Sequence, residues 1–180
     1  EIKANVPLDA LYKCWHIYPR TDMRYYTADL ITEILSGGGS SRLFQALVKE
    51  KQLFSNIDCY HLGSTDAGLL TISGKLIKGV KMEDAEAAVN EELIKLQQDG
   101  ISQRELDKVI NKTESMIAFE DMSVTNRAAS LAMYELMGDA DLINKELDRY
   151  RAVTADEIKK ECKIIFDEKN TNTLYYYSNN

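Results

Sequence analysis

The chain has 180 residues, and its 22 Lys and Arg against 29 Asp and Glu give a formal charge of −7. Hydrophobic residues at 44% and charged residues at 28% are the balance of a folded domain and exclude a disordered chain. The acidic balance excludes a sequence-independent nucleic-acid binder, which needs clustered Lys and Arg, and no apolar run nears the roughly 20 residues of a membrane helix.

Residues 1–9 read as irregular, with Pro7 near their end. Leu11, Lys13, Trp15 and Ile17 alternate with Tyr12, Cys14, His16 and Tyr18, and both sets are largely apolar. This predicts a strand covered on one face and partly on the other, stopped by Pro19. Asp22 can cap a helix whose Tyr26, Leu30, Ile31, Ile34 and Leu35 recur at helical spacing. Gly37-Gly38-Gly39 ends it, and Ser40 or Ser41 restarts a helix through Leu43, Phe44, Leu47 and Val48. Ser55–Gly63 and Gly68–Ile77 predict an antiparallel hairpin, with Gly74 marking a bulge.

A helix follows over Met82–Gln98, ended by Asp99-Gly100. Ser102 and Glu105 form a capping-box pattern before Leu106, Val109, Ile110, Thr113, Met116 and Ile117. The helical signal runs, with a break near Ser123, to Met137-Gly138. A short helix to Tyr150, a second capping box at Thr154 and Glu157, and a strand over Thr173–Tyr177 complete the order. Consecutive strands with helices gathered elsewhere predict an α+β fold: one domain over 1–180, an antiparallel sheet with helices on one side.

Chemistry-bearing residues are sparse. Cys14, Cys59 and Cys162 lie far apart and read as core residues rather than a disulfide scaffold or zinc site. His16 and His61 lack the local pairing of a metal site, and they would meet only if their strands were neighbours. Glu91, Glu92, Asp107 and Glu114 are interspersed with Lys95, Lys108 and Lys112 at helical offsets, as on a solvated face. Leu174-Tyr175-Tyr176-Tyr177 reads as a strand with a half-covered face rather than a recognition surface. Gly37-Gly38-Gly39-Ser40-Ser41-Arg42 is the most distinctive segment. It fits a phosphate cradle, a contact loop, or a sharp corner between helices with serine as the next cap. The corner is favoured, because no strand precedes it and no Lys-Ser/Thr follows.

The run from Leu30 to Lys51, with Gly37-Gly38-Gly39-Ser40-Ser41-Arg42-Leu43-Phe44 at its centre, resembles the C-terminal, non-zinc half of the pitrilysin and mitochondrial-processing-peptidase type of zinc peptidases. The element order agrees over nearly the whole chain. The resemblance implies half of a clamshell that closes over an unfolded peptide. Its zinc would sit on an inverted His-x-x-Glu-His motif in a catalytic N-terminal domain or a partner subunit of the same fold. This chain holds no such motif, so it is expected to bind no cofactor and to be inactive alone. Its first residue is Glu1, so it is expected to be part of a longer or processed protein. Cytoplasm and periplasm both suit it.

Such halves contribute an arginine and, about two turns later, a tyrosine to the substrate. Aligned on Ser41-Arg42-Leu43-Phe44, the arginine position falls at Val48 or Lys49 and the tyrosine position at Phe54 or Ser55. The pair is not intact, which leaves Lys49, Lys51 and Ser55 as the expected substrate contacts. Gly37, Gly38, Gly39, Ser41 and Arg42 are expected to be structural. The alternative is a purely structural or assembly subunit of the same fold.

Overall fold

The computed structural model describes residues 1–179. Five strands, β1 (Ile2–Ala4), β2 (Ala10–Ile17), β3 (Phe54–Leu62), β4 (Gly68–Leu76) and β5 (Thr171–Ser178), form one sheet in the order β1-β5-β2-β4-β3. Six α-helices accompany them: α1 (Arg24–Ser36), α2 (Met82–Asp99), α3 (Gln103–Glu120), α4 (Val124–Leu136), α5 (Leu142–Arg151) and α6 (Ala155–Ile165). The expected α+β class and its strand and helix order are met. The N-terminus differs from the irregular segment expected, because Ile2–Ala4 adds to β5 as a parallel edge strand. Three residues show no period, so only the partner strand reveals them.

Strand register assigns every side chain to a face. Leu11, Trp15 and Ile17 of β2, Leu70 and Ile72 of β4, and Ile57 and Cys59 of β3 point into the core, under buried residues of α1, α2 and α6. Tyr12, Cys14 and His16, with Leu174, Tyr176, Leu69, Thr71, Ser73, Asp58 and Tyr60, share the opposite face. Cys14 is half-buried there, whereas Cys59 and Cys162 are core residues, and all three are free thiols.

The core face contains one charge, which its alternation with Leu11, Trp15 and Ile17 places there. Lys13 is 4% exposed. Its ammonium donates to Glu86 of α2 at 2.6 Å and to Thr173 of β5 at 3.1 Å. The Tyr175 hydroxyl donates to the other Glu86 oxygen at 2.6 Å. A buried ammonium stands only with such partners, so this pair fixes α2 over β2 and β5. Burial pushes the Glu86 carboxyl up, but the bonds from Lys13 and Tyr175 outweigh it and hold it below the usual carboxylate range. Beside it the Trp15 indole donates to Thr171 at 2.7 Å and meets the Phe166 ring edge-on at 5.0 Å.

N-cap side chains explain three of the six α-helix starts. Ser102 accepts from the Glu105 amide at 3.2 Å, and Ser123 caps α4, placing the break where the sequence suggested it. Thr154 and Glu157 make a complete capping box. The first box is half-made, because the Glu105 carboxylate is spent on Arg42. Asp22 caps α1 loosely: N-cap geometry falls on Met23, and Asp22 accepts from the Arg24 amide at 2.9 Å.

Gly74 is not a bulge; the irregularity lies at Phe54/Asn56 on β3. Gly74 instead lets buried Phe54 lie flat on β4, since a Cβ there would stand 2.5 Å from the Phe54 ring. Gly74→Ala is expected to destabilise by roughly 1–3 kcal/mol through overpacking, read as a lower midpoint in urea. Combining it with Phe54→Leu should recover part of that loss. A midpoint unchanged in Gly74→Ala would show that the ring has room to move.

Candidate functional site

The Gly-rich corner and the segment after it form the most constrained surface structure in the chain. α1 ends at Ser36, and the Gly37 amide donates back to the Glu33 carbonyl at 2.7 Å. A Cβ on Gly37 would lie 2.4 Å from that same oxygen, so only glycine fits. Gly38 has φ +119°, a left-handed conformation that strains any residue with a Cβ. α3 then holds the corner from one side. The Lys108 ammonium donates to Ser40 Oγ at 2.7 Å, and Lys112 donates to the Gly37 carbonyl at 2.9 Å and to Glu33. Gln45 donates to the Gly39 carbonyl.

Arg42 is a clamp. Its Nε and Nη2 donate to the two Glu105 oxygens at 2.9 and 2.8 Å, and Nη2 also reaches the Gly100 carbonyl at 2.9 Å. This two-pronged bond joins the corner to the α2–α3 turn. Ser41 is buried and its amide bonds Gly38. All of this bonding runs between the corner and its own domain, which supports a structural corner over a phosphate cradle.

The chain leaves the corner as a π-helical segment, Phe44–Glu50, where the sequence suggested an ordinary helix. Its wider turns leave Leu47 fully buried and Lys49 exposed, with the Lys49 ammonium 5.5 Å from the Phe44 ring centre. π-helical turns are rare and gather at functional sites. The segment ends in a second strained residue, Gln52 at φ +52°, which no sequence signal announced. Beyond it β3 begins as an outer edge of the sheet.

The candidate residues therefore separate. Phe54 is fully buried, and Val48 packs against the core, which leaves Lys49 and Ser55 as the exposed members of the degenerate positions. Ser55 Oγ donates to the Lys75 carbonyl at 3.1 Å. Lys51 is paired with Glu91 of α2, and Lys95 bonds the other Glu91 oxygen at 2.8 Å. The two ammonium groups hold the Glu91 carboxyl down to about 2. Glu91 thus belongs to a solvated ion-pair network, as its spacing suggested.

The two histidines do not meet. β4 separates their strands, and His16 lies on the open face while His61 faces the helices. His61 Nε2 is 2.6 Å from Asp29 Oδ1, and the Tyr150 hydroxyl donates to Asp29 Oδ2 at 2.6 Å. Burial and the neighbouring Asp29 raise the Tyr150 phenol above its usual range. Among the described residues no group of three or more His, Cys, Asp or Glu is placed to hold a metal. The side chains present do not fit a zinc ion.

The model of the peptidase M16 inactive domain matches residues 1–113. The chain belongs to this family. It is 25% identical over 146 residues to the uncharacterized zinc protease YmxG of Bacillus subtilis, covering 81% of this chain and 36% of that protein. It is 24% identical over 143 residues to the uncharacterized zinc protease SCO5738 of Streptomyces coelicolor, covering 78% of this chain and 30% of that protein. The chain thus spans about a third of the length of these relatives. Its fold matches a Helicobacter pylori protease with a TM-score of 0.90 at 18% identity, covering 98% of this chain and 43% of that one. It matches the inactive peptidase domain of a candidate zinc protease from Bordetella parapertussis with a TM-score of 0.85 at 19% identity, covering 98% and 96%. The expected likeness to the non-zinc half of such peptidases is met.

Two glycines of the corner separate backbone strain from crowding. Gly38→Val is expected to cost roughly 1–3 kcal/mol, because φ +119° suits no β-branched residue. Gly39→Ala should be neutral within about 0.5 kcal/mol, since a Cβ there meets nothing within 4 Å. Thermal melts of both variants check this, and equal losses would contradict the assignment of strain to Gly38.

Proposed function

We propose that this M16 inactive domain is the non-catalytic wall of a zinc-peptidase chamber. It closes over an unfolded peptide while the zinc, on the inverted His-x-x-Glu-His motif, is carried by a catalytic domain of the same fold. Family membership carries this reading, and the relatives' naming as zinc proteases supports it. The geometry supports a site at the start of β3. There Lys49, exposed on the π-helical segment, and Ser55, exposed on the edge strand, stand where the family resemblance puts an arginine and a tyrosine.

A lysine offers one compact, well-hydrated charge in place of a guanidinium fork, so it attracts peptide carbonyls or acidic side chains weakly. Ser55 is too short for a tyrosine's reach, and its hydroxyl already serves the Lys75 carbonyl. The domain then acts mainly by shape and docking, with Lys49 as a weak charge at the chamber wall and Lys51 engaged by Glu91. The degenerate pair also favours a second reading, an assembly subunit of this fold with no peptidase activity.

Peptide cleavage by the domain paired with its zinc-bearing half separates the two. Lys49→Arg with Ser55→Tyr is expected to raise kcat/KM severalfold in the pair and to give no cleavage by this chain alone. The isolated chain should bind unfolded peptides no tighter than the high micromolar range, about −5 kcal/mol. No cleavage by the pair, with or without the substitutions, would favour the assembly subunit. Cleavage by the isolated chain would overturn both readings.

A further inference from the structure

A cleft of about 430 Å³ lies between α2 and the strands β2 and β5. The size of the side chains beneath it explains why it is there. Lys13 pairs across the ladder with Thr173, and Trp15 with Thr171, so a short threonine stands beside each long side chain. α2 presents a stripe to the cleft, from Glu86 through Asn90, Leu93 and Ile94 to Gln97, at the spacing of a single helix face. Phe166 and Glu168, beyond α6, complete the lining.

Buried polar groups in a fold ordinarily find partners, and three groups here keep spare capacity. The Lys13 ammonium has three protons and two acceptors, Glu86 and Thr173, although its side chain is only 5% exposed. The Asn90 carboxamide has no partner among the described residues. Gln97 commits Nε2 to the Cys162 and Phe166 carbonyls, both at 3.4 Å, and its Oε1 accepts from no described residue. Between Asn90 and Gln97 the lining is apolar, with Leu93, Ile94 and Phe166. Concave shape, apolar walls and a few spare polar groups are the composition of a ligand pocket.

The geometry points to a binding site for an uncharged, elongated amide with an apolar side group. Its carbonyl accepts from Lys13 and Asn90 at one end, and an N–H donates to Gln97 Oε1 at the other. Asn90 and Gln97 stand two helical turns apart, about 10 Å, which is the length of about three extended residues. Charge selects a neutral ligand. The lining holds one cation, Lys13, against two carboxylates, Glu86 and Glu168, so an anion meets surplus negative charge. A cation finds both Glu86 oxygens engaged, by Lys13 and Tyr175, and Glu168 exposed and hydrated. The site shares no residue with Lys49 and Ser55, and it stands whether or not the domain walls a peptidase chamber.

Trp15 is the chain's one tryptophan, so its indole N–H signal in NMR reports on the cleft. The probe is N-acetyl-leucyl-glycinamide. It is expected to bind in the millimolar range and to move the Trp15 indole and the Asn90 side-chain amide signals together. Its two charged counterparts, N-acetyl-leucyl-glycine and protonated leucyl-glycinamide, should each bind several-fold more weakly. A longer blocked peptide with the same centre separates the sources: tighter binding assigns the cleft to a peptide segment, equal binding to a free small amide. Asn90→Ala should weaken binding about tenfold at an unchanged melting temperature, since that side chain holds no described residue. Lys49→Ala should bind as wild type. Neither signal moving with any probe would overturn the assignment. So would the acid binding as tightly as the amide, or Asn90→Ala binding as wild type.

Discussion

A sheet of five strands has two faces, and this domain covers only one. α1, α2 and α6 lie on the side of Leu11, Trp15, Ile57, Leu70 and Ile72, and the rest of the architecture follows from that one-sided burial. It decides that β2, central in the sheet, must be apolar on alternate residues. It also places Lys13 in the core, where an ammonium is tolerable only because Glu86, Thr173 and Tyr175 converge on one site. With helices committed to one side, β3 is left as an outer edge, and the corner that feeds it stands at the rim.

That rim is built by rigid means. α3 reaches across with Lys108 and Lys112, Arg42 bridges to the α2–α3 turn, and the glycines accept torsions other residues resist. A π-helical segment and a left-handed Gln52 in succession store local strain between Arg42 and β3. Strain of this kind persists only where the surroundings over-determine it. Here the anchors on both sides do so, and they present Lys49 outward on a stiff support.

Much of this was legible in the residues. The hairpin of β3 and β4, the caps at Ser102, Ser123 and Thr154, and the corner between helices each rest on local rules of turn chemistry and period, and local rules survive folding. What escaped was non-local. β1 exists because β5 offers an edge. Gly74 admits the ring of Phe54, twenty residues earlier in the chain, so its role as a seat rather than a bulge appears only when both strands are paired. The ordinary helix expected after Ser41 is π-helical, a difference of hydrogen-bond register that side-chain spacing over seven residues does not resolve. Of the candidate site, Lys49, Lys51 and Ser55 came from family resemblance, and only the fold distinguishes the exposed ammonium of Lys49, over the Phe44 ring, from the one of Lys51 paired with Glu91.

The central claim is that this domain contributes wall and closure but no catalytic group. The most direct measurement is kcat/KM for an unfolded peptide by the zinc-bearing domain, with this chain absent and then added to saturation. The account predicts little turnover without it and a rise of an order of magnitude or more with it, by enclosure of the peptide. It also predicts that zinc content per catalytic domain stays constant. Equal kcat/KM with and without this chain would contradict it.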